Sequence, residues 1–369
     1  MDQKKRYKVA VVGGAGSWGR RYMRAYAQHP DCEIVAMVDR ARDRRQRFAD
    51  HYGAKAVYDT VDELLAEEVP DIVSVVLPVA ESPAAVIACA EAGVRAVSCE
   101  KPIAVSLEEA DEMVRVCRER GTALGCGTSF WDGSYVVDAV RWVRAGNIGR
   151  LTSAAIPVLG AHNDRGPYEV SGAGCVQLTI LRFLTDMDVE WVEGWTLPGD
   201  PAWWLPPGAE DWELDGGAYG RLGLSGGITC EIPEPDDRRR LPCLVSACGE
   251  DGAVWIATRK PVLVRGHGPG STPVHPEFFN APHMCSIPSA IRRLIEAFDT
   301  GGEAFCSGHD FRQALEIAIA LKLSARRGHE RVHLPLEDRS LRIYPQPYRL
   351  EGGDAAGWEK LGRPVPVPE

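Results

Sequence analysis

The chain has no apolar run long enough to cross a bilayer, no excess of basic residues and no paired cysteine motif. Each absence removes a class of function. Among 369 residues, 52 are acidic and 42 are Lys or Arg, for a net charge of −10. A surface of that sign repels nucleic acid and anionic membrane alike, so neither is expected as a partner. A spanning helix needs about 20 consecutive apolar residues, and no stretch supplies them. The start, Met1-Asp2-Gln3-Lys4-Lys5-Arg6, leads straight into a predicted strand and lacks the apolar region of a secretory signal, so a cytoplasmic location is expected. The 11 cysteines are odd in number and scattered, with no C-x-x-C. Most fall in apolar runs, among them Cys89, Cys99, Cys117 and Cys230, as buried free thiols of a reducing compartment do. His275, His283 and Cys285 lie near one another without ligand spacing, and no metal site is expected.

What is present begins with Gly14-Ala15-Gly16-Ser17-Trp18-Gly19. An apolar strand, Tyr7–Val12, precedes this turn, and a predicted helix, Arg20–Gln28, follows it. A second apolar run, Glu33–Val38, closes on Asp39, twenty residues past Gly19. Glycines at these spacings make a tight turn, let backbone approach a pyrophosphate and let the helix pack closely on the strand. The helix N-terminus offers N–H groups and a partial positive charge to the phosphates. Asp39 is placed to accept from adenosine ribose hydroxyls, which favours NAD. Arg40 follows it and could meet a 2′-phosphate, so NADP is admitted.

The first third of the chain alternates strand and helix. Further strands are expected at Ala56–Tyr58, Ile72–Leu77, Val94–Cys99 and Thr122–Gly125. They are Val/Ile/Ala-rich without alternation, as strands covered on both faces are. Thr60 with Glu63, and Ser106 with Glu109, fit capping boxes. The expected fold class is therefore α/β: an N-terminal Rossmann domain, residues 1–125, with a doubly wound parallel sheet. From residue 126 the pattern turns to strands joined by Gly226-Gly227 and Asp251-Gly252 turns, with late helices at Pro288–Thr300 and Asp310–Arg327. Residues 126–369 are read as an α+β domain on a large, open, mostly antiparallel sheet. Four tryptophans, Trp195, Trp203, Trp204 and Trp212, punctuate a proline-rich loop and serve as interface anchors or stacking surfaces.

Glu100-Lys101-Pro102 follows the fifth strand, at the carboxyl edge where a nicotinamide would lie. With the glycine turn, Asp71–Leu77-Pro78, Glu91-Ala92-Gly93-Val94 and Arg144–Leu151, it makes the chain resemble the glucose–fructose oxidoreductase / inositol 2-dehydrogenase (Gfo/Idh/MocA) family over most of its length. The resemblance implies a nicotinamide cofactor contacted by Gly14 to Gly19, Asp39, Arg40, Leu77, Pro78, Glu100 and Lys101. It implies hydride transfer to or from a sugar, cyclitol or similar small molecule, and a homodimer or homotetramer formed through the C-terminal sheet. It also implies that Lys101 belongs to the proton-transfer group. Independently of the resemblance, a lysine beside the reacting carbon can hydrogen-bond the substrate oxygen and steady developing negative charge.

The chain departs from that family at one place. After the turn Ser171-Gly172-Ala173-Gly174 the family carries Asp and, four residues on, His. Here Leu178 and Arg182 stand there, or Gln177 and Leu181 if the register shifts by one. Arginine does not deprotonate in proteins, so it cannot serve as base. His162, Asp164 and Tyr168, just before the turn, are candidates to move the proton with Lys101. Arg182 could instead bind a carbonyl or anionic substrate beside Lys101, with Gln177 and Asp164 as further substrate contacts, or be a salt-bridged helix residue. The alternative is a member that binds NAD(P) without turnover, as a sensor or structural cofactor protein.

Overall fold

The computed structural model describes residues 7–126, 134–160, 168–197, 203–235, 243–257, 260–281, 286–304 and 306–353. The elements run β1 (Tyr7–Val12), α1 (Gly19–Gln28), β2 (Cys32–Val38), α2 (Arg45–Tyr52), β3 (Ala56–Tyr58), α3 (Val61–Glu67), β4 (Ile72–Val75), α4 (Ser82–Glu91), β5 (Ala96–Cys99), α5 (Leu107–Arg120) and β6 (Ala123–Cys126). They continue with α6 (Ser134–Arg144), β7 (Leu151–Ala155), α7 (Cys175–Thr185), β8 (Val189–Thr196), β9 (Ala218–Leu224), β10 (Thr229–Ile232), β11 (Cys243–Gly249), β12 (Gly252–Ala257), β13 (Val262–Arg265) and β14 (Thr272–Pro273). The last elements are α8 (Ser286–Thr300), α9 (Gly308–Arg326), β15 (Val332–His333) and α10 (Pro347–Leu350). Two compact units result: Met1–Ser129 with Ser286–His309 and Pro347–Glu369, and Phe130–Cys285 with Asp310–Gln346.

The first unit is built on a six-stranded parallel sheet in the order β3-β2-β1-β4-β5-β6. The order reverses between β1 and β4, and ligands of such sheets bind outside the carboxyl ends of the strands at that crevice. β4 and β5 are buried throughout, and β1 and β2 nearly so, because helices cover both faces, which is why their sequences do not alternate; the edge strand β3 is half-buried. Both expected capping boxes form: Thr60 accepts from the Glu63 N–H at the start of α3, and Ser106 from the Glu109 N–H at the start of α5. α8 belongs to this unit, whereas its sequence position groups it with the second. Its Ile287, Ile291, Leu294, Ile295 and Phe298 share one core with Tyr22, Met23 and Tyr26 of α1. Amphipathic periodicity marks α8 as a helix but does not say which sheet it covers.

The second unit is a nine-stranded mixed sheet in the order β14-β13-β12-β11-β7-β10-β9-β8-β15, antiparallel except for the β10–β7 pair. β8, which the sequence reading left among the tryptophan-containing segments, pairs with β9 from Val189 to Thr196. Its Trp195 stacks between Tyr219 and His329, at centroid distances of 5.8 and 4.6 Å. No helix among the described residues is long and apolar enough to cross a membrane, and these residues hold no cluster suited to a metal ion.

Candidate active site

The turn between β1 and α1 shows a separate reason for each glycine. Gly13 has φ +79°, and a Cβ there would lie 2.1 Å from the Val76 carbonyl oxygen. A Cβ on Gly14 would lie 2.7 Å from the Met37 side chain. A Cβ on Gly19 would fall 2.0 Å from the Gly13 carbonyl oxygen, so this glycine lets α1 approach β1. Gly16 differs. A Cβ there would meet only the Gly13 carbonyl oxygen, at 3.3 Å. The protein itself does not use the space over Gly16, and a pyrophosphate against the backbone would. Ala15 is fully buried, Ser17 is exposed and Trp18 is half-buried. α1 begins without a side-chain cap and without an acidic residue in its first turn, unlike α3 and α5. α2, α4 and α7 start the same way, so this start is compatible with an anionic ligand, and it is the open space over Gly16 that distinguishes α1. These features fit a dinucleotide.

Asp39 ends β2 and ties that edge to the turn. One carboxylate oxygen accepts from the Ala15 N–H at 2.8 Å and the other from the Ala41 N–H at 2.8 Å. Each oxygen keeps a second lone pair, so the carboxylate can still accept from ribose hydroxyls. Arg40 is ion-paired with Glu81, and Arg42 with Asp59. Both guanidiniums therefore face acids of the unit's own surface. Leu77 and Pro78 follow β4 half-buried, and the Ser82 hydroxyl donates to the Pro78 carbonyl at 3.2 Å.

Lys101 leaves the end of β5 at the same edge. The backbone N–H of Glu100 donates to Val75 at 3.2 Å, which aligns this segment with the end of β4. Lys101 is 8% exposed, and Ile103 and Ala104 behind it are buried. An ammonium in so closed a position loses hydration unless partners replace it. The Glu100 carboxylate accepts from the Tyr22 hydroxyl at 2.6 Å. Burial, and then Glu100, push the Tyr22 phenol well above its ordinary range, so it stays protonated and donates.

In the second unit, Tyr168 is half-buried immediately before Glu169, while His162 and Asp164 lie outside the described residues. Gln177 is buried. Its carbonyl oxygen accepts from the Gly160 N–H at 2.9 Å and its amide donates to the Val158 carbonyl. Leu178 is fully buried in apolar surroundings. Arg182 is 8% exposed and held inside this unit. Its Nε donates to Asp310 at 3.2 Å and its Nη1 to Asp188 at 2.5 Å and to the Gln313 carbonyl oxygen. The acids that pair with Arg182 are thus Asp188 and Asp310.

Two buried acids were not anticipated. Asp215 is fully buried and accepts from the N–H groups of Val170 (3.0 Å), Ser171 (2.9 Å) and Gly216 (2.7 Å) and from the Ser171 hydroxyl (2.7 Å). Glu169 is also fully buried, accepts from Gln346 at 2.7 Å, and has its carboxyl where a Cβ on Gly172 would stand. Burial, then the neighbouring Glu169, raise the Asp215 carboxyl to about 6, against the pull of its hydrogen bonds. Burial lowers the Lys322 ammonium, with Asp215 opposing. No periodicity announces these acids, and apart from the adjacent Gly216 their side-chain partners are 44 and more residues away. The Tyr22 contact had a signal: Tyr22 and Tyr26 share the buried face of α1, and buried hydroxyls need partners.

Residues 7–128 match the family model GFO_IDH_MocA, described as an oxidoreductase family with an NAD-binding Rossmann fold. The D-apiose dehydrogenase of Paraburkholderia graminis is 27% identical over 345 residues, covering 88% of this chain and 89% of that protein. Among solved structures, an aldose–aldose oxidoreductase from Caulobacter crescentus complexed with glycerol aligns with TM-score 0.71 at 21% identity, over 89% of this chain and 100% of that one. The WlbA dehydrogenase of Bordetella pertussis, in complex with NADH and UDP-GlcNAcA, aligns with TM-score 0.67 at 20% identity, over 90% and 100%. At such identities the structural likeness speaks for the fold.

Proposed function

We propose that the chain is a member of the Gfo/Idh/MocA family, whose NAD-binding Rossmann model its residues 7–128 match, and that it moves a hydride between a nicotinamide dinucleotide and a secondary hydroxyl or carbonyl of a sugar, cyclitol or related small molecule. The observation that carries this reading is the pairing, within one unit, of the unfilled space over Gly16 with a buried lysine at the same sheet edge. The sugar-named dehydrogenase relative, aligned over most of its length, supports the substrate class.

The Gly14–Gly19 turn would hold the pyrophosphate over the backbone at Gly16 and against the N–H groups that start α1, and Asp39 the adenosine ribose. Arg40 and Arg42 are occupied by Glu81 and Asp59, which favours NAD over NADP; parallel NADH and NADPH titrations compare the two. The bound nicotinamide supplies the hydride acceptor or donor. Lys101 hydrogen-bonds the substrate oxygen, steadies negative charge as the hydride leaves or arrives, and takes part in moving the hydroxyl proton. Tyr168, His162 and Asp164 are the candidates to complete that proton path. Arg182 and Gln177 are assigned to holding α7 and the 158–160 segment, in place of the direct substrate contacts expected of them, because their polar groups are taken up inside the second unit. Assembly into a dimer or tetramer through the open face of the nine-stranded sheet belongs to the same proposal, with sedimentation as its check.

Lys101→Met keeps much of the side-chain volume and removes the ammonium. Across a panel of sugars, cyclitols and keto acids assayed in both directions, turnover should fall by roughly 100-fold or more while NADH affinity stays nearly constant. A native protein that binds NADH but turns over nothing on that panel would favour the reading in which the cofactor is bound without catalysis. The loss of the Asp and His positions to Leu178 and Arg182 keeps that reading in view.

A further inference from the structure

Helix α1 reaches the lysine loop through one side chain. Tyr22 is 1% exposed, four residues before Tyr26, which is fully buried. The two hydroxyls leave the same helix face for different partners. Tyr26 bonds the Ser74 hydroxyl of β4 at 2.8 Å, and Ser74 accepts from the Ser98 hydroxyl of β5 at 2.9 Å. That chain pins α1 to the middle of the sheet. Tyr22 instead donates at 2.6 Å to Glu100, the residue before Lys101. α1 is also the helix whose uncapped start meets the glycine turn. A short hydrogen bond from a buried phenol thus joins the element that receives the dinucleotide to the segment that carries Lys101.

We propose that Tyr22 is a positioning residue for Lys101, acting through Glu100, so that the dinucleotide-binding helix sets the geometry of the reaction-centre lysine. This rests on the reading of Lys101 given above. A charge-assisted hydrogen bond of this length is short and directional, and it limits where the Glu100 side chain and the adjoining backbone can go. Phenylalanine would fill nearly the same space and leave the carboxylate without this donor. The Tyr26 bond is the internal control, because it holds the same helix without touching the lysine loop.

The test reads Lys101 directly and needs no substrate. The full-length protein is trace-labelled with acetic anhydride across a pH series, and the extent of labelling at each lysine is resolved by peptide mass spectrometry. In Tyr22→Phe the midpoint of the Lys101 labelling curve should move by about half a pH unit or more, roughly threefold in the reactive amine. Lys322, in the other unit, should keep its native curve, and NADH affinity should change by less than about threefold. Tyr26→Phe should leave Lys101 at its native midpoint. Glu100→Leu should move Lys101, and adding Tyr22→Phe to it should produce no further shift, since the phenol then has no acceptor at position 100 and the route is already cut. A Lys101 curve in Tyr22→Phe that superimposes on the native one overturns the proposal. So does an equal shift in Tyr26→Phe, which would mean general loosening of α1, and so does simple addition of the Tyr22 and Glu100 effects. A catalytically silent Lys101→Met would instead remove the premise that Lys101 sits at the reaction centre, leaving the labelling result to stand as a coupling between the two segments.

Discussion

The chain contains two glycine-rich turns that each precede a helix, one before α1 and one before α7, and they are put to opposite uses. At Gly13–Gly19 the space beside Gly16 is left open. At Val170–Gly174 the equivalent space is filled. The Glu169 carboxyl lies 2.3 Å from where a Gly172 Cβ would be, and Asp215 takes the N–H groups of Val170 and Ser171. One turn leaves the space over its backbone to a ligand; the other fills that space with the protein's own acids. The same residue type therefore marks a binding site in one place and internal packing in the other. The deciding observation is what stands where the missing Cβ would be.

Four substitutions can break or sharpen that contrast. Arg182→Leu should have the largest effect, because it strands Asp310 and Gln313 beside an apolar side chain. The expected loss is about 3 kcal/mol, toward the lower end for a buried ion pair because Asp188 is 60% exposed. NADH affinity should be unchanged. Denaturant unfolding with parallel NADH titration checks both, and a fall in NADH affinity larger than the fall in stability would contradict the assignment of Arg182 to internal structure.

Gly172→Ala comes next. The added methyl group must displace a buried, hydrogen-bonded carboxyl, at a cost of about 2 kcal/mol. Gly16→Ala, by contrast, should change stability by less than about 0.5 kcal/mol. Equal losses in the two variants would erase the distinction between a filled and an open turn.

The last effect is that of Asp215→Asn on pH dependence. The folded protein holds the Asp215 proton up to about 6, whereas an ordinary aspartate releases it near 3.8. The stabilising contribution is thus fully present below the unfolded value and is lost as pH rises through the folded one. Between about pH 5 and about pH 7 the native protein should lose roughly 1 kcal/mol more stability than Asp215→Asn does. Parallel slopes in urea unfolding at the two pH values would rule out Asp215 as the titrating group.

The two turns also differ in how far sequence reveals them. Gly14, Gly16, Gly19 and Asp39 speak for themselves because their reasons are local: a tight bend, a close helix and one carboxylate at the next strand end. The capping boxes at Thr60 and Ser106 were legible for the same reason. Glu100-Lys101-Pro102 was legible as a motif at a strand end, while the Tyr22 hydroxyl that reaches it lies 78 residues away. Arg182 was legible as a substitution in a helix and as a candidate for a salt bridge, but not its partner Asp310, 128 residues further on. Glu169 and Asp215 carried no signal, because charge without periodicity reads as surface until the fold buries it. α8 showed its apolar face but not the sheet that face would cover.

The most direct test of the account is the affinity of Gly16→Val for NADH, followed by fluorescence, in a protein shown by its unfolding transition to be folded. The native chain should bind NADH. In the variant the side chain occupies the space that the structure leaves over the backbone at Gly16, so binding should be abolished while the fold persists. Native affinity in folded Gly16→Val would contradict the account, because the cofactor would then lie somewhere other than this turn.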